Sequence, residues 1–233
     1  MKTTEQKLAQ AYLLGSYLGD GHCHWNTDDS RHSVYQFVMP SIDDDLLDKV
    51  KRSIIICFPF LEDRVRIVED DKGKYKRLRC SSKDLCQFLR SRCDIKQRLP
   101  KFSDPTLFKE FVSGLMDTDG WITEYHVKNS DYPGFRYQMG FATTSPWYRS
   151  LRKQLRQSGV KVGSTQKIWK PKDKQVQWAD CRRMYINITS FVTAGFYFSI
   201  MRKQSRLQNW QCTIRNELPT TTRLAPPCAA TRG

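Results

Sequence analysis

Residues 13–21 read Leu-Leu-Gly-Ser-Tyr-Leu-Gly-Asp-Gly, and a second copy of the same pattern, Val-Ser-Gly-Leu-Met-Asp-Thr-Asp-Gly, occupies residues 112–120. Each copy has an apolar stretch, two small residues four positions apart, and a closing Asp-Gly. The two closing acids, Asp20 and Asp119, lie 99 residues apart in a chain of 233. This spacing predicts a duplicated domain with one acid in each copy.

The small residues of the pattern are Gly15 and Gly19 in the first copy, and Gly114 and Thr118 in the second. A spacing of four places both members of a pair on one face of a helix. Small side chains let two helix backbones approach closely. We therefore predict that the two motif helices pack against each other at a pseudo-twofold axis, with the closing acids side by side.

The C-terminal ends of the two motif helices are electrostatically unfavourable positions for two carboxylates. An acid at a helix C-terminus faces the negative end of the dipole, at a cost of about 0.3–1 kcal/mol, and a second acid adds repulsion. A divalent cation would relieve both, and Mg²⁺ prefers hard oxygen ligands. The pattern predicts a metal site made by Asp20 and Asp119 with the adjacent Gly19 and Thr118. Paired acids that share metal ions beside a polyanion indicate phosphodiester hydrolysis by metal-activated water.

The overall charge of the chain indicates the class of its partner. There are 39 basic and 24 acidic residues, which give a net charge of +15. Such an excess favours nucleic acid over a membrane surface, although a basic ribosome-associated protein would have a similar charge. No apolar run is long enough to span a bilayer, and no N-terminal signal peptide is apparent. We expect a soluble, intracellular protein that does not bind membranes.

Hydrophobic periodicity and turn residues predict the same order of elements twice: helix, two strands, helix, two strands, helix. This order gives an α+β fold of two pseudo-symmetric αββαββα halves, residues 1–102 and 103–215, with a disordered tail at 216–233. The predicted helices are 3–20, 41–54, 82–92, 104–120, 146–158 and 191–210. The predicted strands are 22–25, 34–39, 64–68, 74–80, 121–125, 135–143, 165–170 and 183–189.

A second, shorter fragment recurs near the end of each half. Lys96 opens the sequence Lys-Gln-Arg-Leu, and Lys203 opens Lys-Gln-Ser-Arg-Leu. The lysine follows its aspartate by 76 residues in the first half and by 84 in the second. Because the two fragments occupy corresponding places, they support the duplication.

At the two motifs the chain resembles the LAGLIDADG homing endonucleases in their single-chain, double-motif form. The resemblance covers about residues 5–210 in the order of elements. The first motif departs from the family pattern, because Ser16 and Leu18 replace the usual Leu and Asp, whereas the second motif is closer. Since Asp117 has no acidic counterpart at position 18, we assign it to packing or helix capping.

The resemblance implies antiparallel sheets that form a saddle over DNA, with the motif helices at the interface. It implies that Asp20 and Asp119 bind the catalytic Mg²⁺, with Mn²⁺ or Ca²⁺ able to substitute for binding. Lys96 and Lys203 would support the reactive phosphate or water. Enzymes of this type cut both DNA strands across the minor groove and leave short 3′ overhangs.

Basic and polar residues alternate along the predicted strands, as expected for a sheet face that contacts DNA. Strands can enter the major groove, where Arg reads guanine and Gln or Asn reads adenine. A solvated, charged sheet face is the alternative, and for any one residue a phosphate contact is the more common role. The candidates are His22, His24, Arg64, Arg66, Lys74, Lys76, Arg77, Arg79, Arg136, Gln138, Lys167, Trp169, Lys170, Arg183, Tyr185 and Asn187.

The hypothesis from sequence is a monomeric, magnesium-dependent, site-specific double-strand DNA endonuclease that acts in homing. Its target should be long and nearly non-palindromic, because the two sets of strands differ. One alternative is an RNA-binding maturase on the same fold, with intron RNA as partner. Another is a DNA-binding regulator that has lost catalysis, although such a protein should lack at least one of the two acids. A zinc-dependent nuclease site around His22 and His24 would need further ligands at suitable spacing, and none is apparent.

Overall fold

Two antiparallel sheets of four strands each form the framework of the computed structural model, which describes residues 2–26, 34–70, 73–93, 96–127, 134–143, 146–167 and 182–217. The first half contains α1 (Thr4–Leu18), β1 (His22–Asn26), β2 (Val34–Ser41), α2 (Asp44–Cys57), a 3₁₀ helix (Pro59–Arg64), β3 (Val65–Glu69), β4 (Lys76–Ser81) and α3 (Lys83–Cys93). The second half contains α4 (Pro105–Thr118), β5 (Gly120–Val127), β6 (Gly134–Thr143), α5 (Tyr148–Gln157), β7 (Val162–Lys167), β8 (Arg182–Ile186), α6 (Ile188–Thr193) and α7 (Met201–Glu217). The predicted two-part α+β fold is confirmed.

Local signals start both motif helices as predicted. In α1, the hydroxyl of Thr3 accepts from the backbone N–H of Gln6 at 3.2 Å, and the Gln6 side chain accepts from the Thr3 N–H at 3.1 Å. This reciprocal capping box satisfies two N–H groups that a helix start leaves without partners. In α4, Asp104 accepts from the N–H of Thr106 at 2.8 Å, and Pro105 occupies the first helical position.

The two motif helices pack directly against each other through their small residues. A β-carbon added at Gly114 would lie 2.3 Å from the carbonyl oxygen of Tyr12. One added at Gly15 would lie 2.0 Å from the carbonyl oxygen of Phe111. Tyr12 precedes Gly15 by three residues, as Phe111 precedes Gly114, so the contact is reciprocal. The predicted pseudo-twofold packing of the two motif helices is therefore confirmed, and we call this helix interface the seam.

The two sheets have the same strand order, β1-β2-β4-β3 and β5-β6-β8-β7. In each sheet, alternate residues form a core beneath the helices; examples are Phe37, Leu78, Phe141 and Met184. The intervening residues form the opposite face, which we call the outer face. Because β1 and β5 begin just after Asp20 and Asp119, each outer face starts beside one motif acid.

Polar contacts between α2 and α7 also join the halves. Arg202 donates to both carboxylate oxygens of Asp43 at 2.8 Å, and Asp45 accepts from the backbone N–H of Met201 at 2.5 Å. The acid run at 43–45 starts α2, as predicted, and it also holds the first turn of α7 from the other half.

The structure corrects the sequence prediction around residues 59–64 and 191–210, among others described with the site below. Residues 59–64 form a 3₁₀ helix that ends at Arg64, so this residue is not in a strand; Pro59 starts the helix and Leu61 is buried. The predicted helix at 191–210 is two helices. Between them Gly195 has a φ of +76°, and the next apolar residues are buried at every second position, as in extended chain.

Helix α7 continues to Glu217, beyond the predicted end of the second half at 215, and residues 218–233 of the predicted tail lie outside the described residues. No helix in the described part of the chain has the length and apolar character needed to cross a membrane.

Candidate active site

Asp20 and Asp119 lie at equivalent ends of the two motif helices. Helix α1 is capped by Gly19, and α4 by Asp119 itself, whose N–H donates to the Leu115 carbonyl at 3.0 Å. A β-carbon added at Gly19 would lie 3.5 Å from Cγ of Asp119, so the Asp119 carboxyl adjoins the residue before Asp20. The seam thus brings the two predicted acids together.

The acids interact electrostatically. Desolvation, together with the charge of Asp20, raises the pKa of Asp119 to about 7. Desolvation also raises the pKa of Asp20, which remains exposed, and the nearby ammonium groups of Lys203 and Lys96 oppose this shift. Two carboxylates that disfavour each other's ionised form create a site where added positive charge is stabilising.

The two repeated lysines occupy matching places at the helix ends. Lys96 donates to the Gly19 carbonyl at 2.9 Å, and Lys203 donates to the Thr118 carbonyl at 3.1 Å. Gly19 and Thr118 are equivalent positions of the two motifs, so the lysines obey the same pseudo-symmetry as the acids. A cation at a helix C-terminus also complements the helix dipole.

The two lysines differ in how tightly the protein holds them. Lys203 is buried and also donates to the carbonyls of Met116, Asp117 and Gly120 at 2.5–2.9 Å. Desolvation lowers its pKa to about 8. Lys96 is half-buried; desolvation lowers its pKa too, against the charges of Asp119 and Asp20. The first half therefore presents the more accessible ammonium group.

Asp117 is buried and binds groups from distant parts of the chain. Its carboxylate accepts from the Tyr12 hydroxyl at 2.9 Å, from the Ser199 N–H at 3.0 Å and from the Ser199 hydroxyl. It thereby ties α4 to α1 and to the extended segment before α7. These contacts agree with a packing role for Asp117 and leave its carboxylate directed away from solvent.

The donor set at the seam fits a hard divalent cation. Within the described residues, no cluster of three or more His, Cys, Asp or Glu side chains could hold a metal ion. The Gly19 and Thr118 carbonyls, which the sequence suggested as ligands, already accept from lysines. A carbonyl oxygen has two lone pairs and can accept a hydrogen bond while it binds an ion, so the two carboxylates and these two carbonyls are all oxygen donors of the kind that a hard divalent cation prefers.

The outer face of the first sheet carries four of the predicted DNA contacts, namely His22, His24, Arg66 and Arg79. His22, Val38, Arg79 and Arg66 are paired across the four strands, so their side chains share this face. His22, Arg66 and Arg79 are exposed, as is His24, whose ring lies 4.5 Å from that of His22. Desolvation, with the charges of His24 and Lys96 nearby, lowers the pKa of His22. This row leads from the motif acid to the far edge of the sheet.

The other predicted contacts of the first half are paired with acids or lie outside the strands. Lys76 points to the helix side and donates to Asp44 at 2.8 Å, because it alternates with Arg77 along β4. Arg77 is on the outer face but donates to Asp70 at 2.7 Å. Lys74 precedes β4 and Arg64 ends the 3₁₀ helix, so the strand positions predicted for these two residues are wrong.

The outer face of the second sheet contains Arg136, Gln138, Arg183 and Tyr185 at alternating positions of β6 and β8. The first three are exposed.

The remaining predicted contacts of the second half are not on this face or are not described. Asn187 is not on β8: its side chain accepts from the Ser190 N–H at 2.9 Å and caps α6. Lys167 ends β7, whereas Trp169 and Lys170 lie outside the described residues.

Trp121 is an outer-face residue that the sequence analysis missed. Its ring packs edge-on against that of Tyr185 at 5.7 Å, above Gly140. It follows Asp119 by two residues, as His22 follows Asp20, so the 99-residue offset of the motifs would have identified it.

The fold is shared with solved LAGLIDADG endonucleases. The homing endonuclease I-DmoI, in complex with DNA and Ca, matches at a TM-score of 0.56 and 16% identity, over 81% of this chain and 87% of that one. The LAGLIDADG meganuclease I-AabMI, bound to uncleaved DNA, matches at 0.55 and 10% over 92% and 93%. The LAGLIDADG homing endonuclease I-GzeII, in complex with a DNA target, matches at 0.56 and 10% over 91% and 93%. No family model and no curated protein matches the chain.

Proposed function

We propose that this protein is a metal-dependent, site-specific double-strand DNA endonuclease of the LAGLIDADG type that acts in homing. The observation that carries the proposal is the pair of carboxylates, Asp20 and Asp119, held together at the seam of two open sheet faces. Each acid has a lysine at the equivalent helix end. Similarity in fold to endonucleases solved with DNA supports the same conclusion.

In this proposal Asp20 and Asp119 hold Mg²⁺, with Mn²⁺ or Ca²⁺ able to substitute for binding. When bound, the metal would supply an activated water and charge stabilisation for phosphodiester hydrolysis. The acids must be ionised to bind it, and their mutual repulsion makes the free pair costly. Lys96, which is half-exposed beside Asp20, would orient the phosphate or water of one strand. Lys203, whose ammonium is buried against four carbonyls, would support the other half through its positive charge.

The outer faces would bind the duplex as a saddle, one half-site for each half of the chain. Arg66 and Arg79 on the first sheet and Arg136 on the second are placed for phosphates or guanines, and Gln138 for adenine. Because His22 occupies the position that Trp121 occupies in the other half, the two half-sites should differ. A single chain with both halves, 1–102 and 103–215, would then act as a monomer on a long, nearly non-palindromic target.

The experiment that tests this function is selection of cleaved sites from a pool of randomised duplexes with the purified protein and Mg²⁺. We expect one long sequence to be enriched, with both strands cut, short 3′ overhangs, and no products in EDTA. Binding should weaken steeply with salt, since phosphate contacts dominate affinity. Specific binding without cleavage would identify a regulator. Tighter binding to intron RNA than to any duplex would identify the maturase alternative.

A further inference from the structure

Helix α5 presents an unbalanced basic surface. Residues 146–163 contain five Lys or Arg residues and no Asp or Glu. Four of these cations follow the i, i+3, i+4, i+7 spacing, so they share one face of α5, and they line an open cleft of about 470 Å³ together with Gln157. We call this set, Arg149, Arg152, Lys153 and Arg156, the α5 basic face.

These charges have no internal counter-charges among the described residues. Arg149 donates to the Tyr148 hydroxyl and Arg156 to the Val162 carbonyl, which are both neutral acceptors. Nε of Arg152 is buried and has no hydrogen-bond partner. Like charges at these spacings destabilise a helix. The arrangement therefore costs stability, which a bound polyanion would restore.

The corresponding helix of the other half does not share this property. Helix α2 contains three acids and three bases, and its Asp44 accepts from Lys76. The excess of positive charge on α5 is therefore not a requirement of this helix position in the fold.

The α5 basic face points away from the outer face of its sheet. Leu151 and Leu155 are buried, and Trp147 stacks on Phe141, a residue of the core side of β6. Arg149, Lys153 and Arg156 are exposed on the far side of the helix. A duplex on the outer face would be separated from them by the thickness of a sheet and a helix, roughly 20 Å.

We propose that the α5 basic face binds the phosphate backbone of a second DNA duplex, without sequence specificity, while the outer faces hold the target. The inference rests on the proposed function for the first duplex. The four cations extend over about 10 Å of helix axis, which corresponds to about three phosphates at 3.4 Å per nucleotide of one strand. Arginine, which supplies three of the four, binds phosphate in a bidentate manner. One monomer could then hold two DNA segments and transfer between them.

The test is a two-duplex capture assay with the full chain. A biotinylated duplex is immobilised with bound protein, and a fluorescent duplex of unrelated sequence is added in EDTA at low salt. The variant R149Q/K153Q/R156Q removes three charges from the α5 basic face. The matched control K7Q/K51Q/R52Q removes three from helices of the first half. Thermal melts establish that all forms are folded.

We expect the wild type and the control to capture the second duplex. The α5 variant should capture at least tenfold less of the fluorescent duplex. Binding of the first duplex should change less than twofold, and the salt slope of capture should fall by about 0.9 for each phosphate contact removed. The proposal is overturned if the α5 variant captures normally, if the control loses capture equally, or if each bridge contains two protein copies by sedimentation. Displacement of the second duplex by a structured RNA at tenfold lower concentration would also overturn it. Cleavage of the selected target, measured separately, reports on the proposed function alone.

Discussion

A methyl group on Gly15 would lie 2.0 Å from the carbonyl oxygen of Phe111 in the opposing motif helix. Since this neighbour is backbone, Gly15→Ala must push the helices apart, and we expect a loss of about 1–3 kcal/mol in the free energy of unfolding. Urea denaturation measures the change. Gly163→Ala is the matched control, because the nearest atom to its added carbon is 3.7 Å away. Equal stability of the two variants would contradict a tightly packed seam.

The raised pKa of Asp119 predicts that the acid pair lowers the stability of the metal-free protein. With a pKa of about 7 when folded and 3.8 when unfolded, the folded state binds more protons between these values, so stability falls as pH rises from 4 to 7. Asp119→Asn should therefore stabilise the metal-free protein at pH 8, by about 1–2 kcal/mol after allowance for solvent screening. Thermal melts at pH 5 and pH 8 check this.

The control for that experiment is Asp63→Asn, which changes an exposed acid of the 3₁₀ helix. Mg²⁺ should raise the melting temperature of the wild type and of the control but not that of Asp119→Asn. An Asp119→Asn protein that is less stable than the wild type at pH 8 would contradict the proposed repulsion.

Two basic residues of β4 that point to opposite faces of the first sheet should contribute differently to duplex binding. Arg79 is exposed on the outer face, whereas Lys76 points to the helix side and pairs with Asp44. Arg79→Gln should weaken duplex binding several-fold and lower the salt slope by about 0.9, and Lys76→Gln should leave both unchanged. Fluorescence anisotropy at several salt concentrations compares them. A stronger effect from Lys76→Gln than from Arg79→Gln would contradict binding of the duplex on the outer face.

The hydroxyl of Tyr12 links the two halves through its hydrogen bond to Asp117. Tyr12→Phe removes one donor to a buried carboxylate and should cost about 1–3 kcal/mol in the free energy of unfolding. Tyr125→Phe, at an exposed outer-face position, is the control and should be neutral. If both substitutions are neutral, the cross-seam hydrogen bond contributes nothing measurable.

The seam was predictable because its determinants are local. Small residues four positions apart in a helix, such as Gly15 and Gly19, allow a close helix crossing, and the repeat of the pattern indicated which two helices cross. Thr3 and Asp104 are likewise short-range signals that start their helices. The repeat also indicated that Lys96 and Lys203 are equivalent, and each donates to a carbonyl at the end of a motif helix, whereas their role in catalysis stays a prediction.

Contacts between distant segments could not be predicted from one sequence. Asp117 binds Tyr12, 105 residues earlier, and Ser199, 82 residues later, and no periodicity encodes either pairing. The break between α6 and α7 had an available signal, because Phe196, Phe198 and Ile200 alternate as in extended chain. The face to which Lys76 points depended on the register of β4, which a one-residue shift reverses.

Strand-resolved cleavage of the selected target by Asp20→Asn and Asp119→Asn most directly tests whether the two motif acids form the active site. With Mg²⁺ and a duplex labelled on both strands, we predict that the wild type cuts both strands. Either variant should lose double-strand cleavage by at least a hundredfold while its affinity for the duplex changes less than threefold. Cleavage of both strands at the wild-type rate by both single variants would contradict the assignment of Asp20 and Asp119.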